Sequence, residues 1–192
     1  MIGLTGGIGS GKSTALAALK RNGAAVLSTD RVVHELYETF EVREALRCRF
    51  DASIVPAGVV DRGALAERAF AMPADRAWLE GLLWPRVGAR IVAWHEQVQC
   101  SSPSPRAAVV EVPLLFESEM EDVFDATIAI LADEKVRSRR AAARGHRALE
   151  ERSARQLSQE EKAARATYVV ANDSTVDQFE ARLSSVLDML DG

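Results

Sequence analysis

Five short apolar runs mark the chain, at residues 2–5, 24–28, 107–112, 126–131 and 168–172. The three later ones read Ala-Ala-Val-Val-Glu-Val, Ala-Thr-Ile-Ala-Ile-Leu and Tyr-Val-Val-Ala-Asn, and are rich in β-branched residues. Unbroken apolar runs of this length suit strands buried on both faces, as in a parallel sheet. Helical patterns lie between them. This alternation predicts an α/β fold, a doubly wound five-stranded parallel sheet flanked by helices.

The spacing is uneven. Between the second and third runs the pattern is almost all helical, with helices predicted at 31–50, 61–72, 74–83 and 85–99. Asp61 is a candidate N-cap, with Ala64, Leu65, Ala69 and Phe70 forming the apolar face behind it. Residues 100–105, Cys-Ser-Ser-Pro-Ser-Pro, read as a proline-broken loop returning to the sheet. The expected organisation is a core of residues 1–30 and 105–192, a helical insertion at 31–104, and a helical lid at 134–165 within the core. A last helix at 176–190 carries Phe179, Leu183, Val186, Leu187 and Leu190 at helical spacing and is expected to cover the sheet.

The first strand runs into Gly6-Gly7-Ile8-Gly9-Ser10-Gly11-Lys12-Ser13, which matches G-x-x-x-x-G-K-[ST] throughout. A helical stretch, residues 14–20, follows. Glycines at 6, 7, 9 and 11 allow positive φ and leave no Cβ in the way. Successive N–H groups then converge on an anion at a helix N-terminus, where the dipole favours it. Gly9, Ser10, Gly11, Lys12, Ser13 and Thr14 form the expected cradle for a nucleoside triphosphate, ATP. Lys12 supplies charge to the outer phosphates, and the Ser13 hydroxyl is the expected Mg2+ ligand.

Asp30 follows the second strand, at the carboxyl end where ligands bind in open α/β sheets. It suits a catalytic carboxylate, a group in the magnesium shell, or the N-cap of the helix that follows. After the third strand comes Glu111-Val112-Pro113-Leu114-Leu115-Phe116-Glu117. Glu111 suits a metal water, Lys12 or substrate; Pro113, Leu114 and Leu115 stand as substrate-binding candidates, with core packing the alternative for the leucines and Phe116. Arginines 137, 139, 140, 144, 147, 152 and 155 crowd one helical stretch. Most suit a solvated face paired with Glu134, Glu150 and Glu151. Arg140 and Arg144, four apart on one face, are the candidates for clamping a migrating phosphoryl group. His34, His95 and His146 show no metal spacing.

Composition narrows the picture little further. The 192 residues are 47% hydrophobic and 27% charged, with a net charge of −4. That balance does not point to nucleic acid. Cys48 and Cys100 form neither a metal spacing nor a disulfide framework, and read as reduced thiols in a cytoplasmic protein. No apolar run approaches a membrane span, and no signal peptide is expected. A GTPase switch lacks its guanine-reading Asn-Lys-x-Asp segment here. The small size, the helical insertion and the arginine-rich stretch point to a P-loop kinase with a small acceptor.

The residues 2–14, Ile-Gly-Leu-Thr-Gly-Gly-Ile-Gly-Ser-Gly-Lys-Ser-Thr, closely resemble the dephospho-CoA kinase family, as does Glu111-Val112-Pro113-Leu114-Leu115-Phe116-Glu117. Further along, Arg140-x-x-x-Arg144, Arg152-x-x-x-Gln156, Glu161-Lys162 and Tyr168-Val169-Val170-x-Asn172 continue the likeness in the family's order. The resemblance implies transfer of the ATP γ-phosphate to the ribose 3′-hydroxyl of dephospho-CoA, the last step of coenzyme A synthesis. It implies dephospho-CoA as the small-molecule partner. No nucleic acid or membrane partner is expected, and the sequence leaves the oligomeric state open between a monomer and a weak homo-oligomer. The resemblance places the family's presumed general base at Asp30. Three positions depart from the family's pattern. Ser28-Thr29-Asp30 stands where Asp-x-Asp is usual, Trp84-Pro85 where His-Pro is usual, and Ala166-Thr167 where Ala-Asp is usual. The alternatives are a nucleoside or nucleotide kinase of similar build and a nucleotide-binding regulatory module.

Overall fold

The apolar runs pair into one sheet: β1 (Ile2–Gly6), β2 (Ala25–Ser28), β3 (Ala108–Glu111), β4 (Ala126–Leu131) and β5 (Tyr168–Ala171). The order is β2-β3-β1-β4-β5, and every neighbouring pair is parallel. This computed structural model describes residues 1–142 and 156–190. The chain divides into two compact units, residues 1–28 with 95–192, and residues 29–94.

In the sheet unit, β1 is central and wholly buried. Its register sets Ile2 beside Val109 and Ala126, and Gly6 beside Ile130. Alternate side chains share a face. Ile2, Leu4, Val109, Ile128, Ile130 and Val170 therefore line one side, where they are buried with residues of α1 (Lys12–Arg21) and α8 (Val176–Leu190). Ala15, Ala18 and Leu19 come from α1; Phe179, Leu183, Val186 and Leu187 come from α8, at the spacing expected of it. Each fully buried large side chain contributes about 1.5–3 kcal/mol. On the opposite face Gly3 leaves room for the turn after β3. A Cβ there would lie 2.5 Å from Leu115 Cδ1 and 2.9 Å from Phe124 Cδ2.

Thr167 has a structural role. Thr127 N–H donates to Thr167 Oγ1 and Thr167 N–H donates to Thr127 Oγ1, each at 3.0 Å. A hydroxyl thus fixes the start of β5 against β4, at the position where the family's aspartate is usual.

The second unit holds α2 (Thr29–Tyr37), α3 (Phe40–Phe50), α4 (Arg62–Ala71) and the part of α5 (Pro73–Gln99) up to Trp94. Asp61 caps α4 as expected, accepting from the Gly63 and Ala64 N–H groups at 3.0 Å. The expected helix over 31–50 is instead two. Thr39 is extended and accepts from Val42 N–H, so it ends one helix and caps the next. The helix also begins earlier than expected, at Thr29, which puts Asp30 in its first turn rather than at its N-cap. Conversely, the helices expected at 74–83 and 85–99 are one, with Pro85 inside. A proline removes one helical N–H and crowds the preceding turn. The carbonyl deprived of its helical donor is that of Gly81; beside it, Arg86 Nη1 donates to the Leu82 carbonyl at 2.8 Å. Phe50 meets Trp78 edge to face at 5.5 Å, and Arg49 both lies over Trp78 and bonds Asp75.

Candidate active site

The phosphate loop leaves the carboxyl end of β1 and enters α1 through Gly11, which takes φ +99° as the N-cap. A glycine cap offers no side-chain acceptor. Among the described residues no side chain caps α1, and no acidic residue sits in its first turn. The helix N-terminus therefore keeps its N–H groups and its partial positive charge, roughly +0.5, for an anion. Gly9 also has positive φ, +77°. Gly7 does not, contrary to the sequence expectation. A Cβ there would lie 2.8 Å from Arg137 Nη2, so the tip of that side chain would have to shift to admit one.

Lys12 Nζ donates to the Gly6 and Gly7 carbonyls, at 2.8 and 3.2 Å. The ammonium is thus folded back along the loop's inner edge. Ser13 and Thr14 are exposed at the mouth of the helix, whereas Ser10 is buried. Ser10 Oγ is a buried hydroxyl with no hydrogen-bond partner among the described residues. Its carbonyl accepts from Asn172 Nδ2 at 2.8 Å, which braces the loop from the end of β5. A Cβ at Gly11 would collide with that same Nδ2. The uncapped start of α1, the Lys12 ammonium and the exposed hydroxyls of Ser13 and Thr14 fit a phosphate chain and a hard cation bound to it. Among the described residues no three His, Cys, Asp or Glu side chains gather as a separate metal site.

At the edge of the sheet β2 and β3 set Ser28 beside Glu111. Ser28 Oγ donates to Glu111 Oε2 at 2.7 Å, and Glu111 is buried. The serine standing in place of the usual aspartate thus donates to this carboxylate rather than repelling it. Beyond Glu111, Pro113 and Leu114 are half-buried. Leu115 and Phe116 are fully buried, so Leu115, expected at the substrate, packs in the core against Gly3. Glu117, the last residue of the motif, pairs with Lys162 of α7 (Gln159–Arg165).

The arginine-rich stretch begins in α6 (Glu134–Ala142). Arg140 is exposed, and its Nη1 reaches the Gly9 carbonyl at 3.4 Å. Arg144 lies outside the described residues. The arginine that meets the loop more closely is Arg137, whose Nε donates to the Ile8 carbonyl at 3.0 Å. Sequence reasoning passed over it, because one arginine among seven carries no mark of its partner. Gln156 accepts the Ile8 N–H at 3.1 Å, and its place in a family motif was the only sequence signal for it. After it, Ser158 and Glu161 form a capping box at the start of α7. The Glu161 carboxyl is held below its usual range, first by the Ser158 N–H and then by the Ser158 hydroxyl. Gln159 bonds both the N–H and the carbonyl of Ala132, at 2.8 and 2.9 Å.

The sequence profile of the dephospho-CoA kinase family matches residues 1–178. The chain belongs to the dephospho-CoA kinase family. It is 38% identical over 193 aligned residues to the dephospho-CoA kinase of Deinococcus radiodurans, spanning 99% of this chain and 92% of that protein. It is 37% identical to the dephospho-CoA kinase of Symbiobacterium thermophilum, over 96% and 79% of the two chains. Among solved structures it resembles TT1252 from Thermus thermophilus, with a TM-score of 0.80, 36% identity, and coverage of 100% and 97%. The dephospho-CoA kinase of Campylobacter jejuni, at 22% identity, shares the fold with a TM-score of 0.71 over 99% and 96% of the chains. The P-loop kinase fold expected from the sequence is thus present. Among the described residues no helix is long and apolar enough to cross a membrane.

Proposed function

We propose that this chain transfers the γ-phosphoryl group of ATP to the ribose 3′-hydroxyl of dephospho-CoA, giving coenzyme A and ADP. The observation that carries the reading is the uncapped N-terminus of α1 behind a loop that holds Lys12 Nζ on the Gly6 and Gly7 carbonyls. Phosphoryl transfer asks a protein mainly for positioning and charge stabilisation, and this loop supplies both.

The residues divide the work as follows. Residues 9–14 cradle the triphosphate at the start of α1. Lys12 turns from its carbonyls to the outer phosphates. The Ser13 hydroxyl would hold Mg2+, which when bound neutralises phosphate charge. Asp30, exposed in the first turn of α2, orients the acceptor hydroxyl and takes its proton. Arg140, already directed at the loop, stabilises the charge on the group in transit. Glu111 and the half-buried Pro113 and Leu114 shape the acceptor edge, with Leu115 supporting them from the core. Residues 29–94 provide the acceptor-binding helices. Two exposed, unpaired cysteines, Cys48 and Cys100, suit a reducing cytoplasm.

ADP release measured against a panel of acceptors tests this reading. Dephospho-CoA is expected to stimulate release far above nucleosides, nucleotides and shikimate. Faster turnover with a nucleoside or nucleotide would reassign the enzyme. Nucleotide binding that no acceptor turns into ADP release would make it a regulatory module.

A further inference from the structure

Two side chains far apart in sequence hold the same residue of the phosphate loop. Arg137 Nε donates to the Ile8 carbonyl at 3.0 Å, and Gln156 Oε1 accepts the Ile8 N–H at 3.1 Å. Both polar backbone atoms of Ile8 are thereby occupied. Arg137 is itself fixed, since its Nη1 pairs with Glu134 at 2.8 Å and its side chain is only 16% exposed. The fit extends to the neighbouring residues. A Cβ at Gly7 would lie 2.8 Å from Arg137 Nη2, and one at Gly9 would lie 2.7 Å from the Arg137 carbonyl oxygen. Glycines on both sides of Ile8 let α6 lie directly on the loop.

A glycine-rich loop loses more conformational freedom on ordering than other chain does. Where protein contacts order it beforehand, ligand binding does not bear that loss. The Ile8 N–H, already bonded to Gln156, is also withdrawn from the phosphates. We propose that Arg137 and Gln156 are positioning residues that preorganise the phosphate loop by gripping Ile8, and that Arg137 acts there as a hydrogen-bond donor rather than as a charge. The proposal rests on the reading that this loop binds ATP.

The donating atom makes the idea separable. Arginine Nε and glutamine Nε2 lie the same number of bonds from the backbone. Arg137→Gln therefore keeps a donor at that place and loses the charge, while Arg137→Met keeps the length and loses both. Gln156→Met removes the acceptor. The full chain and these three variants are titrated with MgATP by calorimetry. Steady-state kinetics with dephospho-CoA, amide exchange over residues 6–13 and nucleotide-free thermal midpoints accompany the titrations.

Arg137→Met and Gln156→Met are expected to bind MgATP ~10-fold more weakly, and Arg137→Gln within ~2-fold of the unaltered chain. The KM for ATP rises by the same factor with kcat little changed, as for lost uniform binding. Exchange over residues 6–13 accelerates in the two methionine variants while the thermal midpoint moves little. A purely structural role would lower the midpoint and leave affinity alone. Unaltered affinity in both methionine variants overturns the proposal; so does Arg137→Gln binding as weakly as Arg137→Met, which would assign the effect to charge. Gln156→Met decides the matter if Arg137→Met fails to fold. Absence of MgATP binding by the unaltered chain would instead defeat the functional reading itself.

Discussion

Lys162 Nζ donates to Glu117 Oε1 at 2.6 Å, with the lysine side chain fully buried and the glutamate 11% exposed. The same oxygen accepts the Leu157 N–H at 2.8 Å, and Nζ also reaches the Pro113 carbonyl at 3.4 Å. One ion pair thus ties α7 to the turn that follows β3. Removing one partner of a buried pair leaves the other charge without compensation and costs about 3–5 kcal/mol. Lys162→Met is expected to lose stability on that scale in urea denaturation. Adding Glu117→Leu is expected to recover part of the loss, with a coupling above ~1 kcal/mol. Strictly additive losses would show that the pair does not act as one.

Gly11→Ala tests the loop's geometry. Alanine at φ +99° is strained by about 1–3 kcal/mol, and its Cβ would collide with Asn172 Nδ2. MgATP affinity is expected to fall by at least ~10-fold in calorimetry. Affinity equal to that of the parent chain would mean that the cradle tolerates a rebuilt entry into α1.

Asp30→Asn separates chemistry from nucleotide binding. The change keeps shape and removes the proposed base, so kcat is expected to fall ~10²- to 10⁴-fold. The dissociation constant for MgATP should stay within ~2-fold, because the proposed role of Asp30 is at the acceptor hydroxyl. Undiminished turnover would remove Asp30 from the mechanism.

Asp173 follows Asn172 and carries a pH-dependent contact. Its carboxyl is held below the usual range, chiefly by the hydrogen bond from Arg182 Nη1 at 2.7 Å. A carboxylate with a lowered folded-state pKa stabilises above its unfolded value, about 3.9, and loses that contribution as pH falls through the folded value. Asp173→Asn should therefore lower the thermal midpoint at pH 7, and the gap should narrow as pH falls from the unfolded value through the lowered folded one. A gap of constant size across that range would contradict the ionic origin.

The sheet was readable because buried parallel strands appear as β-branched runs, and all five emerged near their expected bounds. The phosphate loop was readable because its glycines, lysine and serine are contiguous. What escaped has a common cause. The break at Thr39 depends on a local bond, Thr39 to Val42, and the helix runs on through Pro85 although that residue supplies no N–H. Arg137 and Gln156 meet Ile8 across most of the chain's length, so neither spacing nor composition reveals them. Gly7 looked like a positive-φ residue, yet its φ is not positive and the guanidinium of Arg137 lies beside it.

The enzyme is defined by where the phosphoryl group lands. Incubating the purified chain with MgATP and dephospho-CoA, and reading the product by phosphorus NMR and mass spectrometry, tests it most directly. One new monoester is expected on the ribose 3′-oxygen, formed in step with ADP. Dephospho-CoA recovered unchanged, or a phosphoryl group on any other oxygen, would contradict it.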